Sequence, residues 1–259
     1  MRFIVSTSTL LKHLQAVSGA LSSSAVLPIL ENFLFEIKEG SLVISATDLQ
    51  TSMITSLAVE SKEGGKIAVP SKILLDTLKT LPEQPVAFSV DDKTFAIEIS
   101  AGDGKYKLSG ENGDDFPKIP TVENAATVNL PASVLAEAIN KTIFAVSNDE
   151  LRPAMTGVFC QLSPQNITFV ATDAHKLVRY RRNDAQAESA TSFILPKKAL
   201  NLLKSSLPAE DVNVAVEYNA TSAFFKFANI SLICRLIDER YPDYEAVIPQ
   251  NNPNKLTLD

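Results

Sequence analysis

The sequence predicts an α+β protein made of two similar halves, in which antiparallel sheets carry helices on one face. Three observations predict it. The segment "ISATDLQ" (Ile44 to Gln50) returns as "FVATDAH" (Phe169 to His175) at an offset of 125 residues, and the surrounding features repeat in the same order. Within each half, a strand, a helix with leucines at i, i+3 or i+4 and i+7, and about three alternating strands occur twice over. The strands are joined by turns as short as "DDK" and "GDG", which suit antiparallel neighbours, and the apolar helix stripes must then pack on a sheet face.

Taken in order, the first half opens with a strand and a helix that places Leu10 and Leu14 on one face. The strands "NFLFEIKEG", "SLVISATD" and "TSMITSLAVE" follow, with "EG" as a turn. A second helix lies in "AVPSKILLDTLKTLP" (Ala68 to Pro82), and then come "PVAFSVDD", "KTFAIEIS" and "KYKLSGEN". The second half repeats this plan. Leu135 and Ile139 lie in its first helix, "ASVLAEAINKTIFAV"; Pro153 answers Pro28; and "ILPKKALNLLKSSLP" (Ile194 to Pro208) aligns at an offset of 126. "DDFPKIP" answers to "DERYPDYEAVIP", so that Phe116-Pro117 matches Tyr241-Pro242. The expected domains are 1–122 and 127–252, joined near "PTVENAATV". The final "NKLTLD" resembles the "ATVNLP" that opens the second half, which makes 256–259 the start of a missing third copy. The plainer alternative is a short strand completing the second copy.

Composition narrows the class. The chain of 259 residues is 45% hydrophobic, ample for a core, yet holds no apolar run long enough for a membrane span. Its amphipathic start is unlike a secretory signal, and Cys160 and Cys234 sit in apolar strand-like runs without metal-ligand spacing, so a reducing cytoplasm fits. The net charge of −6 by itself argues against a nucleic-acid partner. The charges are segregated, however. Acidic residues gather in "DDFP", "SNDE", "PAED" and "IDERYPD". The helices carry Lys12; Lys72 and Lys79 against one Asp76; and Lys197, Lys198 and Lys204 with no acid. Only Lys141 is balanced, by Glu137. On a shared surface such helices can hold a phosphate backbone without reading bases; otherwise they are ordinary solvated faces.

Thr172, Asp173, His175 and Lys176 fall within five positions, an arrangement that suits acid/base chemistry or half of a metal site. The repeat argues otherwise. The first copy keeps Thr47 and Asp48 but has Gln50 in place of His175, so Thr-Asp is better explained as a turn that ends a strand, its carboxylate accepting turn amides. His13 is the only other histidine, and no nucleophile elbow, phosphate loop or dinucleotide fingerprint is present. An enzyme centred on Asp173 and His175 remains the alternative from another class.

With these features in hand, the chain resembles the bacterial DNA sliding clamps, the beta subunit of DNA polymerase III. The likeness runs through "LPIL", "ATDLQ", "VPSK", "DDFP", Arg152-Pro153, "ATDAHKL", "LPKKAL" and "RYPDYEAVIP", in order. It implies a non-catalytic protein without cofactor or metal, of which this chain is the first two of three domains. Two full-length protomers close head to tail into a homodimeric ring around double-stranded DNA, helices inside and sheets outside. The resemblance further implies a groove for short Leu/Phe-rich peptides of the polymerase III catalytic subunit, the clamp loader, other DNA polymerases and repair proteins. Carried over by position, that groove comprises Arg152, Met155, Thr172, Ala174, His175, Lys176, Leu177, Pro242 and Val247. Lys12, Lys72, Lys79, Lys141, Lys197, Lys198 and Lys204 face DNA, and the edge strand at Tyr106, Lys107 and Leu108 meets the other protomer. There are departures: Ala174 and Lys176 stand where many members have Gly and Arg, Ala246 where Arg is frequent, Ser22-Ser23-Ser24 where a DNA-contacting Arg is common, and Pro153 and Ala154 where aromatics are expected. A two-domain clamp closing as a trimer, of archaeal or eukaryotic type, is the alternative within the class.

Overall fold

The structure of the protein, a computed structural model, describes residues 1–22, 27–121, 123–210 and 212–251. The expectations for Ser23 and Ser24 and for 256–259 lie outside these residues.

The element order realises the repeat. The first half runs β1 (Arg2–Ser6), α1 (Thr7–Ser18), β2 (Asn32–Lys38), β3 (Ser41–Thr47), β4 (Thr51–Ala58), β5 (Glu60–Glu63), β6 (Gly65–Pro70), α2 (Ser71–Thr80), β7 (Pro85–Val90), β8 (Ala96–Ala101), β9 (Gly104–Ser109) and β10 (Glu111–Asn112). The second runs β11 (Ala126–Pro131), α3 (Ala132–Thr142), β12 (Gly157–Leu162), β13 (Ile167–Thr172), β14 (Leu177–Arg182), β15 (Thr191–Pro196), α4 (Lys197–Ser206), β16 (Asn213–Tyr218), β17 (Ser222–Phe227) and β18 (Ile230–Arg235). Pro28 and Pro153, matched in sequence, each open a 3-10 turn, at Pro28–Glu31 and Pro153–Thr156, where a fixed φ and a missing N–H cost nothing.

Every paired strand is antiparallel, in three sheets ordered β5-β1-β7-β8-β9, β10-β6-β2-β3-β4-β18-β17-β16-β11 and β14-β13-β12-β15. The nine-stranded sheet crosses from one half to the other through β4 and β18, with Thr55 opposite Ile230 and Thr51 opposite Cys234. Around this seam the Arg235 N–H donates to Gln50 O at 2.9 Å, Asn229 donates to Thr55 Oγ1 and Ser56 O at 3.3 Å, and His13 Nδ1 lies 2.8 Å from Thr55 Oγ1. Gly19 closes α1 where Leu202 of α4 leaves no room for a Cβ, so the helices of the two halves touch.

Helices cover one face of the sheets. Leu10, Leu14 and Val17, then Leu74 and Leu78, Leu135 and Ile139, and Leu200 and Leu203 are buried in one core cluster that spans both halves, each such leucine worth about 2 kcal/mol in burial. The opposite face is crossed by the two matched segments. Phe116 packs on Leu34 and Ala68, and its counterpart Tyr241 packs on Ile194 and lies parallel to Phe159 at 4.6 Å. Both cysteines are buried as free thiols, and burial raises their pKa.

The elements depart from sequence expectation in several places, and "KYKLSGEN" is one, divided at Gly110 into β9 and β10 of different sheets. The helix read through "ASVLAEAINKTIFAV" stops at Thr142, whose hydroxyl turns back onto Ala138 O at 2.7 Å; a 3-10 turn follows and leaves Phe144 exposed. The strand at "KTFAIEIS" begins only at Ala96, because Asp91 gathers the Lys93 and Thr94 amides into a turn that holds Phe95 at φ 56°. "TSMITSLAVE" breaks after Ala58, since β5 leaves its sheet to pair with β1.

The Thr-Asp pairs form the same turn twice. Thr47 Oγ1 donates to Thr51 O (3.2 Å) and accepts the Leu49 N–H (3.1 Å), while Asp48 Oδ1 accepts the amides of Gln50 and Thr51. Thr172 Oγ1 donates to Lys176 O (2.8 Å) and accepts the Ala174 N–H (3.1 Å), while Asp173 Oδ1 accepts those of His175 and Lys176. Both turns push the residue after Asp into the left-handed region, Leu49 at φ 75° and Ala174 at φ 74°. That conformation costs an L-residue about 1 kcal/mol, so Ala174→Gly is expected to raise or hold stability in urea unfolding despite the extra chain entropy of glycine. Gly157, at the start of β12, would place a Cβ 2.5 Å from Leu195 O. Gly157→Ala is therefore expected to lower the stability of the chain by about 2 kcal/mol in the same measurement.

Candidate peptide groove and charged helix face

The second turn opens onto a surface that its counterpart does not. A cavity of about 380 Å³ is lined by Met155, Thr172, Ala174, His175, Lys176, Leu177, Pro242, Asp243, Tyr244 and Val247. The fold explains why distant segments meet here. The Pro153–Thr156 turn delivers Met155, the hairpin between β13 and β14 delivers residues 172 to 177, and the Tyr241 anchor brings Pro242 to Val247 across the sheet. Eight of the nine residues expected from sequence line this one cavity. Arg152 does not: it is drawn aside by Asp149, which accepts from its Nε at 2.9 Å.

Apolar surface dominates the floor, supplied by Met155, Leu177, Pro242 and Val247, the last two-thirds exposed. Polar groups lie at the rim, an arrangement that captures a small apolar ligand and orients it. Lys176 is ion-paired with Asp173. The Lys176 ammonium, together with the Lys176 and His175 amides, holds the Asp173 carboxyl well below the usual carboxylate range. A depressed value keeps this cap ionised everywhere above the ordinary carboxylate pKa and releases it only in strong acid. Asp173 is thus committed to the turn and has no proton to exchange near neutrality. Among the described residues no three His, Cys, Asp or Glu side chains are grouped to hold a metal ion. Commitment to the turn argues against an acid/base role for Asp173.

Two lining residues, Asp243 and Tyr244, escaped sequence reasoning, although the match of Phe116 with Tyr241 marked the segment that carries them. Tyr244 donates to Gln161 Oε1 and packs edge-on against Phe159. On its far side a larger cavity of about 720 Å³ shares Pro242, Asp243 and Tyr244 and is lined by Arg181, Arg240 and Glu245 among others.

The helix lysines divide into two groups. Lys12, Lys72, Lys141 and Lys204 are exposed and form no ion pair with another described residue. Lys79 pairs loosely with Asp76 at 3.7 Å, Lys197 donates to Asn148, and Lys198 is bound to Asp48 of the other half. Tyr106, Lys107 and Leu108 lie on β9, whose outer edge is unpaired among the described strands; β18, its repeat counterpart, is paired on both sides, and β14, the counterpart of β4, is an edge strand of the second half.

Comparison with known proteins agrees with this geometry. The family model for the DNA polymerase III beta subunit, N-terminal domain, matches residues 1–120, and that for the central domain matches residues 129–243. The beta sliding clamp of Synechococcus elongatus is 31% identical over 265 residues, an alignment covering all of this chain and 70% of that protein. The DNA polymerase sliding clamp of Bacillus subtilis superposes with a TM-score of 0.93 at 26% identity, covering 97% of this chain and 68% of its own. The sliding clamp of Bartonella birtlesii, solved bound to griselimycin, gives 0.90 at 29% identity, covering 97% and 69%. A repeated fold matched along its length by clamp models and clamp structures leads to one conclusion: the chain belongs to the DNA polymerase III beta subunit family, the bacterial sliding clamps, non-catalytic processivity proteins that bind DNA and polymerase.

Proposed function

We propose that the cavity beside the second Thr-Asp turn is the peptide groove of this clamp, and that its helix face holds DNA. The observation that carries the reading is the convergence of Met155, Thr172, Ala174, His175, Lys176, Leu177, Pro242 and Val247 on one apolar-floored cavity. Arg152 serves as a rim residue only after release from Asp149. The occupants are short Leu/Phe-rich segments of the polymerase catalytic subunit, the clamp loader, other DNA polymerases and repair proteins. Residues 1–122 and 127–252 act as two domains, the protein works in the cytoplasm, and the edge of β9 at Tyr106, Lys107 and Leu108 joins a second protomer in the full-length homodimer. Strand addition there supplies main-chain hydrogen bonds, the device already used between β4 and β18.

Among the candidate DNA-facing residues, Lys12, Lys72, Lys141 and Lys204 are the cations free to neutralise phosphates, with Lys79 weakly restrained; Lys197 and Lys198 first have to give up Asn148 and Asp48. Sequence-independent binding to phosphates is enough for a protein that must move along DNA.

Two outcomes test this reading. Leu177→Asp puts a charge on the cavity floor and is expected to weaken binding of a Leu/Phe-rich polymerase tail peptide at least tenfold in calorimetry, leaving the unfolding midpoint nearly unchanged; undiminished affinity would overturn the groove. Replacing Lys12, Lys72, Lys141 and Lys204 by Ala is expected to weaken duplex binding and to flatten its log–log salt dependence by about 0.9 for each phosphate no longer neutralised, whereas Lys198→Ala alone changes the slope far less. Equal slopes for the quadruple variant and the parent would remove the helix face from DNA binding.

A further inference from the structure

The charges around the groove are unevenly committed. Lys176 is ion-paired with Asp173, and that carboxylate is fixed in place by two turn amides, so the pair is neutral in sum wherever the lysine side chain swings. Arg152 and Asp149 cancel likewise, outside the lining. Ala246, exposed beside Val247, brings no charge. Arg181 and Arg240 line the larger cavity beyond Tyr244, where Glu245 accepts a two-oxygen contact from Arg179. Asp243 is different: it lines the groove as well as the larger cavity, it is exposed, and it has no ion-pair partner among the described residues, Arg181 and Arg240 included.

The geometry points to a groove that selects its peptide by charge as well as by apolar anchors, and we infer that the preferred ligand carries a Lys or Arg flanking its Leu/Phe core, paired with Asp243. This rests on the groove reading above and adds the chemical class of the flank. Apolar anchors on Met155 and Leu177 fix where the peptide lies, so a neighbouring cation meets Asp243 without a separate ordering cost. An acidic flank meets an unpaired carboxylate instead, and like charges brought together give specificity by exclusion.

The test uses the whole chain and three synthetic peptides that share one Leu/Phe core and differ only in flanks of Lys, Gln or Glu, titrated by calorimetry at low ionic strength. The Lys-flanked peptide is expected to bind about tenfold more tightly than the Glu-flanked one, with Gln between. Asp243→Asn should reduce that spread to about twofold or less, Asp243→Lys should reverse its order, and added salt should compress it. Leu177→Asp should weaken all three peptides together, which locates them in the groove. Binding of all three with equal affinity, or tighter binding of the Glu-flanked peptide, overturns the inference while leaving the groove standing. Binding of none overturns both.

Discussion

The ladder between β4 and β18 is the constraint on which the rest of the arrangement depends. Thr51, Ser52 and Thr55 of β4 are buried polar residues, and without β18 the edge they sit on would present unpaired amides and carbonyls beside a core. Pairing residue by residue from Thr55 to Thr51 satisfies that edge and merges two sheets into one. Once merged, the faces are set. The helices of both halves must lie on the same side, which brings α1 against α4 at Gly19 and Leu202 and ties Lys198 to Asp48. The segments anchored by Phe116 and Tyr241 must lie on the other. The helix lysines and the cavity beside the second Thr-Asp turn are thereby assigned to different surfaces by sheet geometry alone.

What was legible in the sequence was what the repeat made visible twice. The turn role of Thr172 and Asp173 could be read because Thr47 and Asp48 stand 125 residues earlier, and the structure gives both pairs the same hydrogen bonds. The leucine stripes were legible from their helical period, and the equivalence of Phe116 and Tyr241 from a shared Pro neighbour. The features that escaped have no counterpart or no local signal. β5 and β10 have no counterpart in the second half among the described residues. The link of Lys198 to Asp48 spans 150 residues and gave no pattern to read. Phe144 continues an apolar period that the helix abandons after Thr142, where a 3-10 turn takes over. In the groove, eight positions followed from the resemblance, but the withdrawal of Arg152 toward Asp149 is a contact between neighbours three residues apart that only the folded geometry reveals.

An acidic chain that handles DNA is not a contradiction in this architecture. The carboxylates are spent on turns and strand ends: Asp48, Asp91 and Asp173 each accept two backbone amides, and Glu245 braces Arg179. Cations on the helices are mostly left to solvent. Segregation of this kind lets the field near one face differ in sign from the net charge of the whole.

The two Thr-Asp turns share their backbone but not their surroundings. The first is engaged by the neighbouring half through Lys198 and Arg235, and changing it would disturb the seam. The second leaves Ala174, His175 and Val247 outside any ladder and away from the main core. Side chains there can be exchanged without disturbing the ladder that joins the halves: one copy of the motif is built into the architecture, and the other stands clear of it.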